Sequence, residues 1–98
     1  MSENGFEQRG FRITGRVQGV FFRVWTRGVA EELGLRGTVR NRVDGSVESH
    51  VVGSPDAVRS FEARLWEGPS AASVNGVEAL ESPDDLPLGP FQILPTAS

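Results

Sequence analysis

The sequence predicts an α+β fold, one antiparallel sheet with two helices packed on a single face, and three observations carry that reading. Its 98 residues suffice for one domain and one two-layer core. Apolar spacings of period two and of three to four residues follow one another in the order strand, helix, strand, strand, helix, strand. The pair Asp44-Gly45 stands between the two middle strands as a hairpin turn.

Residues 1–6 are rich in Ser, Glu, Asn and Gly and are expected as a loose tail. From Glu7 to Gly15, Phe11 and Ile13 alternate with Arg12 and Thr14, as on a strand with one buried face. Gly15 and Gly19 bracket Arg16-Val17-Gln18, a turn. From Phe22 to Leu33, the residues Phe22, Trp25, Val29, Ala30 and Leu33 fall on one stripe of a helix. Gly34 followed by Leu35 reads as a Schellman stop. A hairpin follows, with strands at Arg36 to Val43 and Ser46 to Val52 and a turn whose two central residues, Asp44 and Gly45, both tolerate positive φ.

Ser54-Pro55-Asp56 supplies an N-cap, a first-turn proline and a first-turn acid for the second helix. Its apolar face is Ala57, Val58, Phe61 and Leu65, and it ends before Gly68-Pro69. Ala72 to Leu80 is the fourth strand, Ser82 to Pro90 a loop, Phe91 to Leu94 a short terminal strand, and 95–98 a C-terminal tail. This order is the ferredoxin-like split β-α-β pattern. In it the first two strands run the same way, with the third between them. The Gly15 to Phe21 loop and Asn41 are therefore expected on the same edge of the sheet.

Composition narrows the chemistry. The chain has ten basic and thirteen acidic residues, net charge −3, and every basic residue is arginine. An acidic domain is a poor binder of nucleic-acid backbones. Zero cysteine rules out disulfides, thiol nucleophiles and Cys-ligated metals, and the single histidine, His50, disfavours multi-imidazole sites. No apolar run approaches the roughly 20 residues of a membrane span, and the polar, acidic N-terminus is unlike a secretory signal. A cytoplasmic monomer is expected, with no nucleic-acid or membrane partner.

The stretch Gly15-Arg16-Val17-Gln18-Gly19-Val20-Phe21-Phe22-Arg23 lies between a strand and a helix. A glycine-punctuated loop there can turn successive N–H groups inward and add the free donors of a helix start, which makes an anion seat. Arg23 occupies the first helical turn, where a cation is disfavoured by roughly 0.3–1 kcal/mol. Arg27 at i+4 adds like-charge repulsion, partly relieved by Glu31. A bound anion would offset these small penalties, and the guanidinium fork suits a phosphoryl group. The loop lacks the Gly-Lys-Ser/Thr ending of a Walker motif. Spacing alone leaves open a plain tight turn, with Arg23 paired to a surface carboxylate.

Asparagine is depleted in strands, so Asn41 within Val39-Arg40-Asn41 asks for a reason. Its amide can accept from water while donating to a phosphoryl oxygen. It can also simply begin the turn. His50 reads as an ordinary strand residue, Glu31-Glu32 and Asp84-Asp85 as solvated charge, and Trp25 and Trp66 as packing in or over the core.

These blocks, together with Ala30, Leu33-Gly34-Leu35, Gly37, Asp44-Gly45-Ser46-Val47-Glu48, Gly68-Pro69, Ala72, Val74, Phe91 and Ile93, resemble the acylphosphatase family over roughly residues 7–94. The resemblance implies a ferredoxin-like fold and hydrolysis of small-molecule acyl phosphates to a carboxylate and inorganic phosphate. It implies Arg23 as the phosphate-binding arginine and Asn41 as the holder of the attacking water. It also implies an amide cradle from Gly15 through Arg16, Val17, Gln18 and Gly19 to Val20. Trp25 and Thr38 stand where the family carries Tyr and Trp, and Leu94-Pro95 follows Ile93 in place of an ending near a tyrosine.

No metal and no cofactor is expected: the leaving carboxylate has a conjugate acid of pKa near 4, so it needs no general acid, and a phosphoryl oxygen can take the water's proton. Two other readings are weighed. One is a non-catalytic domain that binds acyl or carbamoyl phosphate. The other is an RNA-recognition-like module, suggested by the same element order and by Arg9-Gly10-Phe11.

Overall fold

The computed structural model describes residues 5–97, so residues 1–4 of the tail expected at 1–6, and Ser98, lie outside the described residues. The elements are β1 (Glu7–Arg16), α1 (Phe22–Glu32), β2 (Arg36–Asn41), β3 (Val47–Gly53), α2 (Pro55–Glu67), β4 (Ser73–Leu80) and β5 (Gln92–Ile93). The sheet runs β4-β1-β3-β2-β5. Both helices cover one face of it, as the order of elements predicts.

The sheet is mixed, not wholly antiparallel as expected. β1 pairs antiparallel with β3 and β4, and β2 antiparallel with β3, but β5 lies parallel to β2. The physical reason is the route from β4 to β5. β4 ends beside Gly10, at the start of β1, so the chain must cross to the opposite edge along that end of the sheet before it can pair again. A strand begun there runs the same way as β2. The crossing segment is tied successively to β1, β3 and β2: Gln8 donates to the Pro83 carbonyl, His50 Nδ1 lies 2.6 Å from Ser82 Oγ, and Arg36 donates to the Pro87 carbonyl at 2.9 Å. The expected tail after Leu94 is held as well, since Ala97 bridges in parallel to Arg42.

The core follows from the two periodicities. Phe11, Ile13, Val39, Val47 and Val51 point from the sheet, and Phe22, Val29 and Ala30 from α1 meet Val58, Phe61 and Leu65 from α2. The Phe11 and Phe61 rings pack at 6.0 Å, tilted by 47°. Full burial of each large side chain is worth about 1.5–3 kcal/mol. Trp25 is half-buried and stacks on Phe22 at 5.4 Å. Trp66, expected in or over the core, is 50% exposed because it sits one position past Leu65, a turn of about 100° away from the buried stripe.

Local chemistry sets the ends of the helices. At α1, Leu35 N–H donates to the Ala30 carbonyl (2.8 Å) and Gly34 N–H to that of Glu31 (3.1 Å), the two bonds of a Schellman motif. At α2, Ser54 accepts from the Ala57 N–H, with Pro55 and Asp56 in the first turn.

The hairpin differs from expectation. Only Gly45 takes a positive φ, 95°, and the loop is Val43-Asp44-Gly45: Gly45 N–H donates to the Arg42 carbonyl (3.1 Å) and Arg42 N–H to that of Ser46 (2.9 Å). This is the three-residue type I turn with a glycine bulge. Asp44 prefers it because its carboxylate accepts from both the Ser46 N–H (2.9 Å) and the Ser46 hydroxyl (2.6 Å).

The helix-free face carries a charged network. Glu48 on β3 accepts from Arg42 (2.6 Å) and contacts His50 Nε2 (2.5 Å). Burial opposes its ionisation, but the bonds from His50 and Arg42 outweigh it and hold the carboxyl below the usual carboxylate range. A carboxyl with a lowered folded-state pKa contributes stability above its unfolded value, near 4.3, and loses it as pH falls through the folded value. Glu48→Gln is expected to lower the unfolding free energy at pH 7, measured by urea titration, by on the order of 1–3 kcal/mol for a charged hydrogen-bonded group. The gap from wild type should narrow at pH 3. A gap of the same size at both pH values would remove the ionised carboxylate as its cause.

Candidate functional site

The loop 17–21, the start of α1, the end of β2 and β5 meet at one end of the sheet around a cleft of about 330 Å³. Its lining is Val17, Gly19, Phe21, Phe22, Arg23, Val24, Asn41 and Ile93. β1 and β2 run parallel on either side of β3, and that is what carries residues so distant in sequence to a common edge.

β1 shifts register between Thr14 and Gly15, and the chain leaves the sheet there. Gly15 has φ 120° and lies so close to β4 that a Cβ would collide with the Ser73 carbonyl. Only glycine fits that approach. Further on, Gly19 (φ 74°) and Phe21 (φ 61°, ψ 26°) are left-handed with Val20 between them in ordinary conformation. Such alternation turns successive N–H groups to one side, the geometry of an anion nest.

No side chain caps α1, and its first turn holds no acid. The first loop or helix donor to find a main-chain acceptor is Trp25 N–H, on the Phe21 carbonyl at 3.0 Å. Among the described residues, the N–H groups from Val17 to Arg23 donate to no main-chain carbonyl. The positive end of the helix therefore faces the cleft with its donors unused.

Arg23 is half-buried and, among the described residues, makes no ion pair or hydrogen bond. The plain reading, in which it pairs with a surface carboxylate, does not occur among the described residues. Nor does an Arg27–Glu31 ion pair appear among the described residues.

Asn41 is the last residue of β2, paired with Val47, and the turn begins one position later at Arg42. Its side chain faces the cleft, and its Oδ1 is buried without a hydrogen-bond partner among the described residues. A buried amide oxygen left without a partner costs about 1–3 kcal/mol unless something occupies the site. Its main-chain carbonyl accepts from Ala97 N–H at 3.0 Å, so the strand end is fixed on both sides.

Of the expected cradle, Val17 and Gly19 line the cleft beside Arg23. Gly15 instead sits at the bulge and lines a smaller depression with Arg12, Thr14, Asp44, Gly45 and Ser46. Arg16 is exposed and Val20 buried, and neither lines the cleft. The Gln18 side chain does something its place in the loop did not announce: Nε2 donates to the carbonyls of Arg42 and Ser46, at 2.8 Å each. One amide thus clamps the loop to the hairpin that follows Asn41. Arg12 braces the same hairpin through Asp44 (2.9 Å) while also reaching Glu78 (3.2 Å). Asp44 is held far below the usual carboxylate range, first by the Ser46 hydroxyl and N–H and then by Arg12.

Phe21, Phe22, Val24 and Ile93 also line the cleft, and sequence spacing marks them only as loop, core or edge residues. Among the described residues no three His, Cys, Asp or Glu side chains gather as a metal site, and no helix is long and apolar enough to cross a membrane.

The acylphosphatase family model matches residues 9–93. An acylphosphatase from Rhizobium etli is 54% identical over 67 residues, covering 68% of this chain and 71% of that protein. One from Rhodopseudomonas palustris is 51% identical over 81 residues, 82% of each. Among solved structures, an acylphosphatase from Coxiella burnetii superposes with a TM-score of 0.86 at 34% identity, covering 96% of this chain and all of the other.

Proposed function

The chain belongs to the acylphosphatase family, and from that premise we propose that it hydrolyses the carboxyl–phosphate bond of acyl phosphates in the cleft at Arg23 and Asn41. The observation that carries the reading is a pair of groups facing one space, a guanidinium and a buried amide oxygen that have no hydrogen-bond or ion-pair partner among the described residues. The loop amides and Arg23 would take the phosphoryl oxygens, the fork binding two of them. Asn41 Oδ1 would accept a hydrogen from water, which leaves the water's lone pair directed at phosphorus.

In the step, a bond forms between the water oxygen and phosphorus as the phosphorus–oxygen bond to the acyl group breaks. The acyl carboxylate departs with the electron pair, and a phosphoryl oxygen takes the water's proton. Catalysis is then positioning plus stabilisation of charge on the transferring group. The cleft lining offers no carboxylate, thiolate or imidazole, and this sequence of events runs through Arg23, Asn41 and main-chain amides without a metal ion. Both side chains come from one copy of the chain, so a monomer is sufficient.

An RNA-recognition role finds little support, because Phe11, the aromatic of Arg9-Gly10-Phe11, is fully buried against Phe61 and has no face free for a base. The test of the hydrolase reading is turnover of benzoyl phosphate with excess chelator present. Undiminished hydrolysis, competitively inhibited by inorganic phosphate, is expected. Binding of phosphate without turnover would instead make the domain a sensor.

A further inference from the structure

We propose that Ser82 is a nucleophile served by His50 as its base, so that the chain carries, outside the cleft, a second reactive site that takes the acyl group of neutral activated esters. The inference does not rest on the hydrolase reading.

The contacts begin at Glu48. Its carboxyl is held below the usual carboxylate range, and a carboxylate can only accept hydrogens. His50 Nε2, 2.5 Å from Glu48 Oε2, therefore bears the proton of the neutral ring. That leaves Nδ1 with a lone pair, and Nδ1 lies 2.6 Å from Ser82 Oγ. The Ser82 hydroxyl is thus the donor. Serine, imidazole and carboxylate stand in the order that activates a hydroxyl for nucleophilic attack, with the two ring nitrogens in exchanged roles.

Packing holds this pose. His50 is 4% exposed and lies over Gly10 of β1, where a Cβ would come within 2.5 Å of Nδ1. Ser82 is steadied from the next residue, since Gln8 donates to the Pro83 carbonyl. It is half-buried and lines neither the cleft at Arg23 nor the smaller depression at Arg12. A hydroxyl bound to a solvated imidazole would be an ordinary tether. One that faces the lone pair of an oriented imidazole backed by a carboxylate is a base-assisted nucleophile.

The surroundings choose the acyl donor. Glu81, Asp84 and Asp85 flank Ser82 and are exposed, so a dianionic acyl phosphate is repelled where a neutral ester is not. In the step, Ser82 Oγ bonds to the carbonyl carbon as its proton passes to His50 Nδ1. The carbon–oxygen bond to the alcohol part breaks, and that oxygen leaves with the electron pair and takes up the proton from Nδ1. Water then bonds to the same carbon, giving its proton to Nδ1. The Ser82 ester bond breaks, and Oγ recovers a proton from Nδ1 as the acid departs.

The chain has no Lys, Cys or Tyr to compete for acyl groups. The protein is treated with p-nitrophenyl acetate, quenched in acid at successive times, and its acetylated peptides are measured by mass spectrometry. Wild type, Ser82→Ala, His50→Gln and Arg23→Ala are compared, with near-ultraviolet circular dichroism reporting the fold of each. A phenolate leaves more readily than a serine alkoxide, so acetyl-Ser82 should accumulate with a burst of p-nitrophenol, faster than acetyl at any other serine. Ser82→Ala should lose the burst, and His50→Gln should slow it by about 100-fold, the lower range for a positioned base. Arg23→Ala should label as wild type does, because the two sites are separate. Wild type without acetyl on Ser82, or with acetyl spread evenly over its serines, would overturn the proposal and leave the His50–Ser82 contact as a tether. An unchanged rate in folded His50→Gln, or loss of labelling in Arg23→Ala, would overturn it equally.

Discussion

Arg23→Lys is expected to lower kcat/KM for benzoyl phosphate by at least about 100-fold, and Arg23→Ala by more, on the scale of about 100–1000-fold for loss of one transition-state donor. The size of the lysine effect is the informative part. An ammonium keeps the charge but gives up the planar pair of donors that matches two phosphoryl oxygens, and it holds its own hydration more tightly. Arg23 has no internal partner among the described residues, so neither change disturbs a salt bridge, and the half-buried side chain can be shortened without opening the core. Thermal denaturation should show both variants near wild type. Retention of most of the activity by Arg23→Lys would mean that simple charge, not the fork, is what the site uses.

Asn41→Ala is expected to reduce kcat by about 100–1000-fold while phosphate inhibition stays within a few-fold of wild type. Here the split between turnover and binding matters, because a residue that aims water contributes to the reaction and little to holding product. Oδ1 has no donor among the described residues, and the Ala97 bond goes to the main chain, so alanine breaks no hydrogen bond seen among the described residues. Removing the unsatisfied oxygen should if anything raise Tm slightly, the sign expected when a group poised for chemistry is retired. Equal losses of phosphate affinity and rate would place Asn41 on the phosphoryl group itself. Asn41→Asp offers a companion measurement: it keeps an acceptor for water but sets a negative charge against the phosphoryl oxygens, so KM should rise as well.

Much of this was readable from residue order because the physics is local. Gly34-Leu35 and Ser54-Pro55-Asp56 specify their helix ends through bonds within a turn, and the structure contains those bonds. Arg23 drew notice because a cation at a helix start is out of place unless an anion is near. Asn41 did so because an amide is a poor strand residue.

What stayed hidden depends on long-range placement. Nothing near Gln18 says that its amide will meet the carbonyls of Arg42 and Ser46. The direction of β5 follows from where the crossing chain emerges, which no window of sequence contains. At Asp44-Gly45 the dipeptide suggested one turn and the next residue decided another, since Ser46 gave the Asp44 carboxylate two donors. The left-handed Phe21 ran against residue preference altogether, as strained positions at working sites do.

The Gln18 clamp has a kinetic corollary. Its two bonds span 24 and 28 residues, and the Ala97 bond that steadies Asn41 joins the last described residue to the middle of the chain. Helical signal can return early in refolding, since helix formation is quick and neighbour-driven, whereas loops of this length close late. Regain of enzymatic competence should therefore lag circular dichroism, making turnover a stopwatch for the final closure of the chain.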